Sequence, residues 1–198
     1  MPPFQSAPSL VVLHTLRVAG RAPTSTLLEV TGLPPNMLKA ELDAADAAGT
    51  VAHHNGLVPG WSLTPSGRSH HIDRLDDERR AADRETEILA GYDDLVAMND
   101  WFKSLCTEWQ LQDHPRSCVE RLQERHRHVD AMARRLGRAI TRFNPYAARF
   151  ECALERLRTG DSDAFTTPLA GSYHDVWMHL HEDLLLTLGR ERSPTDGA

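Results

Sequence analysis

Histidines, acids and aromatic rings recur at helical steps in the last third of the chain. His174, Trp177 and His181 follow at intervals of three and four, which places them on one helix face. Two histidines seven positions apart lie ~10 Å apart along a helix, too far to share a metal ion. On the adjoining face Asp175, His179 and Asp183 stand at i, i+4 and i+8. Adjacent pairs there have ligand spacing, but no other ligand accompanies them. A solvated polar face is the simpler explanation, and neither metal nor cofactor is expected. His126 interrupts an apolar stripe of Leu122, Val129, Met132 and Leu136. The ordinary account is a buried imidazole satisfied by a carboxylate or carbonyl. The chemical alternative is an acid–base site, with His126 facing His174 or His181 across a bundle and Glu182 and Tyr173 nearby.

The run Cys106-Thr107-Glu108-Trp109-Gln110 packs a thiol, a carboxylate, an indole and an amide into one and a half turns. As core, Cys106 and Trp109 fill volume; as a pocket, they supply an apolar wall with a few polar groups. Together with Trp101, His126, Tyr173, His174, Trp177 and His181 they form the candidate ligand-binding set. Residues 116–142 add 8 arginines against three acids, while residues 73–100 hold 10 acids and 4 arginines. Side-by-side packing of two complementary helices is the favoured reading. The sharper one has Arg134, Arg135 and Arg138 holding an anion such as a phosphate or acyl-CoA.

These residues need helices to position them. The 198 residues, 40% of them hydrophobic, suffice for one or two small domains. Helical spacing with few β-branched runs makes the fold class mainly α. A net charge of −6 excludes a generally basic nucleic-acid coat. Cys106, Cys118 and Cys152 have no close pairing, which argues against a zinc ribbon or a disulfide framework and fits a reducing cytoplasm. The N-terminus lacks the pattern of a signal peptide, and Leu184-Leu185-Leu186 is too short to span a bilayer, so no membrane partner is expected.

Along the chain, Leu10 to Val18 predict a helix stopped by Gly20, and Thr24 to Val30 a second closed by Gly32. A third begins at Pro34-Pro35, with Met37, Leu38, Leu42, Ala45 and Ala48 turned inward. Val51–His54 and Gly60–Leu63 pair as a hairpin, after which Thr64 caps a new helix and Pro65 takes its first position. Residues 73–87, with 11 charges in 15, continue as a linking helix that Gly91 could kink. Asp113-His114-Pro115 and Asn144-Pro145 each open a further helix. A last helix runs from about Ser172 to Leu188.

The turn Thr31-Gly32-Leu33 before the third helix and the run Leu63-Thr64-Pro65-Ser66-Gly67-Arg68 after the hairpin resemble winged helix-turn-helix regulators of the MarR type, over roughly residues 1–85. That resemblance implies a winged helix in 1–68, a linking helix in 69–90, and a helical ligand-binding and dimerisation domain in 91–198. It also implies DNA as partner, with Asn36 and Lys39 on the recognition helix and His53, His54 and Arg68 at the wing and phosphates. Asp43 and Asp46 share the outer stripe and oppose phosphate. Residues 1–80 hold 7 basic residues against 8 acids, so this part is close to neutral. The second half, in Cys106-Thr107-x-Trp109-Gln110 and Tyr173-His174-x-x-Trp177, is similar to a helical segment of actinobacterial winged-helix proteins.

The leading expectation is a ligand-responsive transcriptional regulator, a cytoplasmic homodimer that binds a small molecule. Two rivals stand beside it. One is an enzyme of specialised metabolism using His126, His174, His181 and Glu182. The other is a module that uses its winged helix for protein contacts.

Overall fold

The computed structural model describes residues 1–57 and 59–191, so 192–198 of the expected third segment lie outside the described residues. It is mainly helical, with one small antiparallel sheet. The order is α1 (Pro8–Ala19), β1 (Arg21–Ala22), α2 (Thr24–Thr31), α3 (Pro35–Ala47), β2 (Val51–His54), β3 (Gly60–Leu63), α4 (Pro65–Ala82) and α5 (Glu85–Leu111). After these come α6 (Arg116–Ala139), a 3-10 turn (Thr141–Phe143), α7 (Asn144–Arg158), α8 (Asp163–Thr166) and α9 (Tyr173–Leu188). No helix among the described residues is long and apolar enough to cross a membrane.

The front part closes around its own apolar set. Val12, Leu13, Leu16, Leu27, Leu38, Leu42, Val51 and Leu63 are buried together. β3 lies between the other two strands, pairing Val51 with Leu63 on one side and Ala22 with Trp61 on the other. Leu38 and Leu42 face inward as their spacing demands, but Met37 is 39% exposed. It stands in the first turn of α3, one residue off that inward stripe, so the expected core position becomes a surface one.

The exit from the hairpin is fixed by hydrogen bonds and by a missing side chain. Thr64 Oγ1 accepts from the Gly67 amide at 3.0 Å and donates to the Gly49 carbonyl at 2.7 Å. This caps α4 and ties it to the turn after α3. A Cβ on Gly67 would stand 1.8 Å from the Thr50 carbonyl oxygen, so the close approach requires glycine.

The linking helix ends earlier than its charge pattern suggests. α4 stops at Ala82, where Asp83 turns left-handed at φ 50°, and α5 starts afresh at Glu85. Gly91 does not interrupt the helix. It lies inside α5, where a Cβ would meet Leu136 Cδ2 at 2.5 Å, and so lets α6 approach closely. The bundle core is built from α5, α6, α7 and α9, with Ile88, Leu95, Phe102, Leu122, Val129, Phe150, Trp177 and Leu184 among its buried members. The acidic stretch divides between α4 and α5, and α5 lies beside the basic α6: Arg135 meets Asp94 at 2.5 Å, and beyond that stretch Arg121 meets Glu108 at 2.6 Å. Arg134 is engaged by Asp130 of its own helix at 2.8 Å.

Gly67→Ala should therefore destabilise the protein by about 1–3 kcal/mol or more, because two backbones must separate. Gly56→Ala, with nothing within 4 Å of the added atom, should change stability by less than about 0.5 kcal/mol. Urea unfolding of both variants checks the pair.

Candidate functional site

Polar side chains from five elements converge where the front part meets the bundle. Arg142, on the 3-10 turn, is buried, and its guanidinium donates to Glu78 of α4 at 2.6 Å and to Asp183 and Thr187 of α9. His14 of α1 lies 3.0 Å from Asp183 through Nε2 and 2.9 Å from His71 Nε2 through Nδ1. Tyr146 of α7 donates to the second Asp183 oxygen at 3.0 Å. Local sequence explains the convergence. Gly67, His71, Leu75, Glu78 and Ala82 form the buried stripe of α4, so His71 and Glu78 must point inward.

The electrostatics follow from this crowding. Burial alone would raise the Asp183 carboxyl, but Arg142 and His14 override it and hold the group well below the usual carboxylate range. Burial would likewise lower Arg142, yet Asp183 and Glu78 keep the guanidinium above its ordinary value. His71 has no compensating carboxylate in hydrogen-bond contact. Burial first, and then His14, lower it from 6.5 to about 3, so it is neutral at pH 7. Burial raises Tyr146 well above its ordinary value, and Asp183 adds to the effect. A buried guanidinium between two carboxylates loses hydration that the pairing returns, so removing the centre leaves two uncompensated charges.

Chemically this cluster is a clamp. Both ring nitrogens of His14 are engaged, and none is left for a substrate. Beside it is a cavity of about 20 Å³, enough for about one water, bordered by His14, Arg142, Tyr146 and Asp183. The space that can admit a ligand adjoins it. A groove of about 710 Å³ runs between α2 and α7, with Glu29, Thr31, Leu33, Asn144, Ala148 and Arg149 along its walls. Arg149 donates to His179 Nδ1 at 2.8 Å, linking the groove to α9. Burial, then Arg149, lowers His179 to about 4.

The sequence-derived candidates separate into three groups. Asn36, Lys39, His53 and Arg68 are exposed and His54 is half-buried. Lys39 Nζ contacts Asp43 at 2.5 Å, and His53 meets the Trp61 ring edge-on at 4.7 Å. His54 shares a hydrogen bond with Ser62 Oγ at 2.9 Å.

The ligand set is mostly core. Tyr173, Trp177 and His181 are at most 1% exposed, and Cys106 is buried. Phe102 stacks on Trp177 at 4.4 Å, His174 stacks on Phe102 at 6.2 Å, and the Trp177 indole donates to Asn99 at 3.2 Å. Trp101 is half-buried under Arg125. Trp109 is buried too, stacked against His114 at 4.6 Å.

The acid–base candidates do not assemble as anticipated. His126 contacts Tyr173 at 3.2 Å and Glu151 at 2.8 Å, the carboxylate-satisfied imidazole of the simpler reading. Glu182 instead borders a groove beside Arg17 and Arg68.

The expected solvated face of the last helix is corrected. Asp183 is 3% exposed and carries the ion pair, His179 binds Arg149, and Asp175 completes a capping box with Ser172. His14, His71, Glu78, Arg142 and Tyr146 were not singled out from sequence. The available signal was polar residues on apolar stripes, with His14 among Leu10, Leu13 and Leu16.

Compared with known proteins, the chain matches no family model, no curated protein and no solved structure.

Two outcomes test the clamp. Arg142→Met should cost about 3–5 kcal/mol of stability in chemical denaturation at pH 7, because two carboxylates lose their buried partner. Acidification should also destabilise the protein. Between 6.5 and about 3 the unfolded chain protonates His71 and the folded chain does not. Stability therefore falls with pH across that window, by ~1.4 kcal/mol per unit for one such group. His71→Asn should flatten the decline between pH 6.5 and 5, with the His179 contribution remaining, and unfolding curves at several pH values measure the slope.

Proposed function

We propose that residues 8–63 form a winged helix and that the protein is a ligand-responsive transcriptional regulator of MarR-like type, acting as a cytoplasmic homodimer. The observation that carries this reading is the order α1–β1–α2–α3–β2–β3 with strands arranged β1–β3–β2, and Asn36 and Lys39 exposed on α3. In this reading α3 enters the major groove, where Asn36 and Lys39 supply donors to base edges and phosphates. His53, His54 and Arg68 flank it at the backbone. The exposed Lys39–Asp43 pair is worth only ~0–1 kcal/mol, so Lys39 can exchange Asp43 for a phosphate at small cost. A second copy doubles the contacts of a nearly neutral domain.

The response to ligand is placed in the groove between α2 and α7. A small molecule seated there would bear on α2 directly and on α9 through Arg149 and His179. Because the clamp fixes α1 and α4 to the bundle, such a displacement would turn the whole front part and alter the spacing of two copies.

One observation favours a second reading, a module for protein contacts. α3 carries Lys39 against Glu41, Asp43 and Asp46, and Met37 and Leu57 lie exposed nearby in sequence. An acidic helix with apolar neighbours suits a basic protein segment better than it suits phosphate.

Gel-shift titration with DNA from the protein's own gene neighbourhood, across a salt series, separates the two. The regulator reading expects saturable binding that weakens with salt, each phosphate contact adding about −0.9 to the log–log slope. Lys39→Glu should lower affinity at least ~10-fold, a loss of ~1.4 kcal/mol. Absence of binding at low salt would reject DNA as partner and leave the protein-contact reading.

A further inference from the structure

A further groove, about 310 Å³, opens at the joint between the front part and the bundle. Its walls come from the last turn of α1, the end of β3, the first turn of α4 and the middle of α9. Leu16, Val18, Leu63 and Met178 give it an apolar lining, and Arg17 and Arg68 give it two cations. Glu182 is the one acid among its described lining residues. His179 also borders it, and burial followed by Arg149 keeps that imidazole neutral at pH 7.

The register of two helices brings the cations together. His14 of α1 meets His71 of α4 at 2.9 Å. Arg17 stands three residues after His14, and Arg68 three residues before His71, so each lies one turn from that contact. Both turns open onto the same groove. Arg17 is half-buried and Arg68 is exposed. Neither makes an ion pair or a hydrogen bond among the described residues. In this they differ from Arg121, Arg134, Arg135 and Arg142, each of which holds a carboxylate.

Local stability accounts for one of the two at most. Arg17, in the last turn of α1, complements the helix dipole. Arg68 lies in the first turn of α4, which contains no acid and where a cation opposes the dipole. The charge of Arg17 is also felt inside the joint: after burial and His14, it helps to lower His71 to about 3. Two like charges on one groove repel each other until an anion lies between them.

We propose that this groove binds a small phosphate monoester, with the phosphoryl group between Arg17 and Arg68 and the organic part along the apolar lining. Two guanidinium forks suit a doubly charged oxyanion better than a single carboxylate. The apolar lining gives a monoester contacts that bare phosphate lacks. A hydroxyl on the organic part would suit Glu182 on the α9 wall.

The intact chain, labelled with 15N, is titrated with glycerol 3-phosphate, inorganic phosphate and acetate, with ionic strength held constant by chloride. The Nε–H signals of the two side chains are assigned from Arg17→Gln and Arg68→Gln. The titration contains no DNA, so its outcome is separate from the regulator reading, in which Arg68 also flanks the nucleic-acid backbone. The expected result is a saturable shift of both signals with glycerol 3-phosphate, at a Kd of about 1 mM or below. Inorganic phosphate should bind more weakly, and acetate at least ~10-fold more weakly. Arg68→Gln, a change at an exposed side chain, should weaken binding at least ~10-fold, and Arg74→Gln, exposed on the same helix, should leave it unchanged. Arg17→Gln/Arg68→Gln, with its melting temperature checked, should abolish saturation. The proposal is overturned if the monoester does not shift both signals saturably, or if acetate or inorganic phosphate binds as tightly. It is equally overturned if Arg68→Gln binds like the parent.

Discussion

Arg142 is where the two apolar cores are joined. Its guanidinium sits between Glu78 and Asp183, and through them it touches the helix leaving the hairpin and the last helix of the bundle. A forked cation between two carboxylates fixes the directions in which its partners must lie. Replacing such a group by apolar residues can be neutral for stability, so its importance here lies in geometry: it admits one docking of front part on bundle. His14, His71, Tyr146 and Thr187 extend the hydrogen bonding to α1, α4, α7 and α9, while His71 Nδ1 and Glu78 Oε2 stay buried without a hydrogen-bond partner among the described residues.

The functional reading depends on that rigidity. If the front part were loosely hung, a molecule in the groove between α2 and α7 would order a few side chains and little else. With α1 and α4 held by the clamp, the proposed displacement of α2 or α7 would be transmitted to the whole front part.

Much of the fold was legible because its signals are local. Gly20, Gly32, Thr64 with Pro65, and Asn144-Pro145 punctuate helices through their own backbone chemistry, and the observed boundaries fall within a residue or two. The hairpin strands Val51–His54 and Gly60–Leu63 were likewise readable and are the observed β2 and β3. What failed was non-local. Asp183 has the spacing of a solvated helix face, and only the arrival of Arg142 from a different element makes burial tolerable. The linking helix, expected to run to residue 90, ends at Ala82 because Asp83 turns left-handed, and Gly91 instead lies inside the next helix against Leu136. Aromatic and histidine residues at helical spacing look alike as pocket wall and as core. Phe102, far away in sequence, decides the matter by stacking on Trp177. His126 was legible as a carboxylate-bound imidazole, though its partner Glu151 was not.

Whether the clamp makes one body of two cores is open to direct measurement by native-state hydrogen exchange at increasing denaturant. Amides in α3 and β3 report on the front core, and amides in α6 and α9 on the bundle. If the clamp unites them, the slowest amides of both sets converge on one opening free energy and one denaturant dependence. If the front part opens at markedly lower free energy while the bundle stays closed, the two cores are only neighbours. The coupling on which the functional reading rests would then be contradicted.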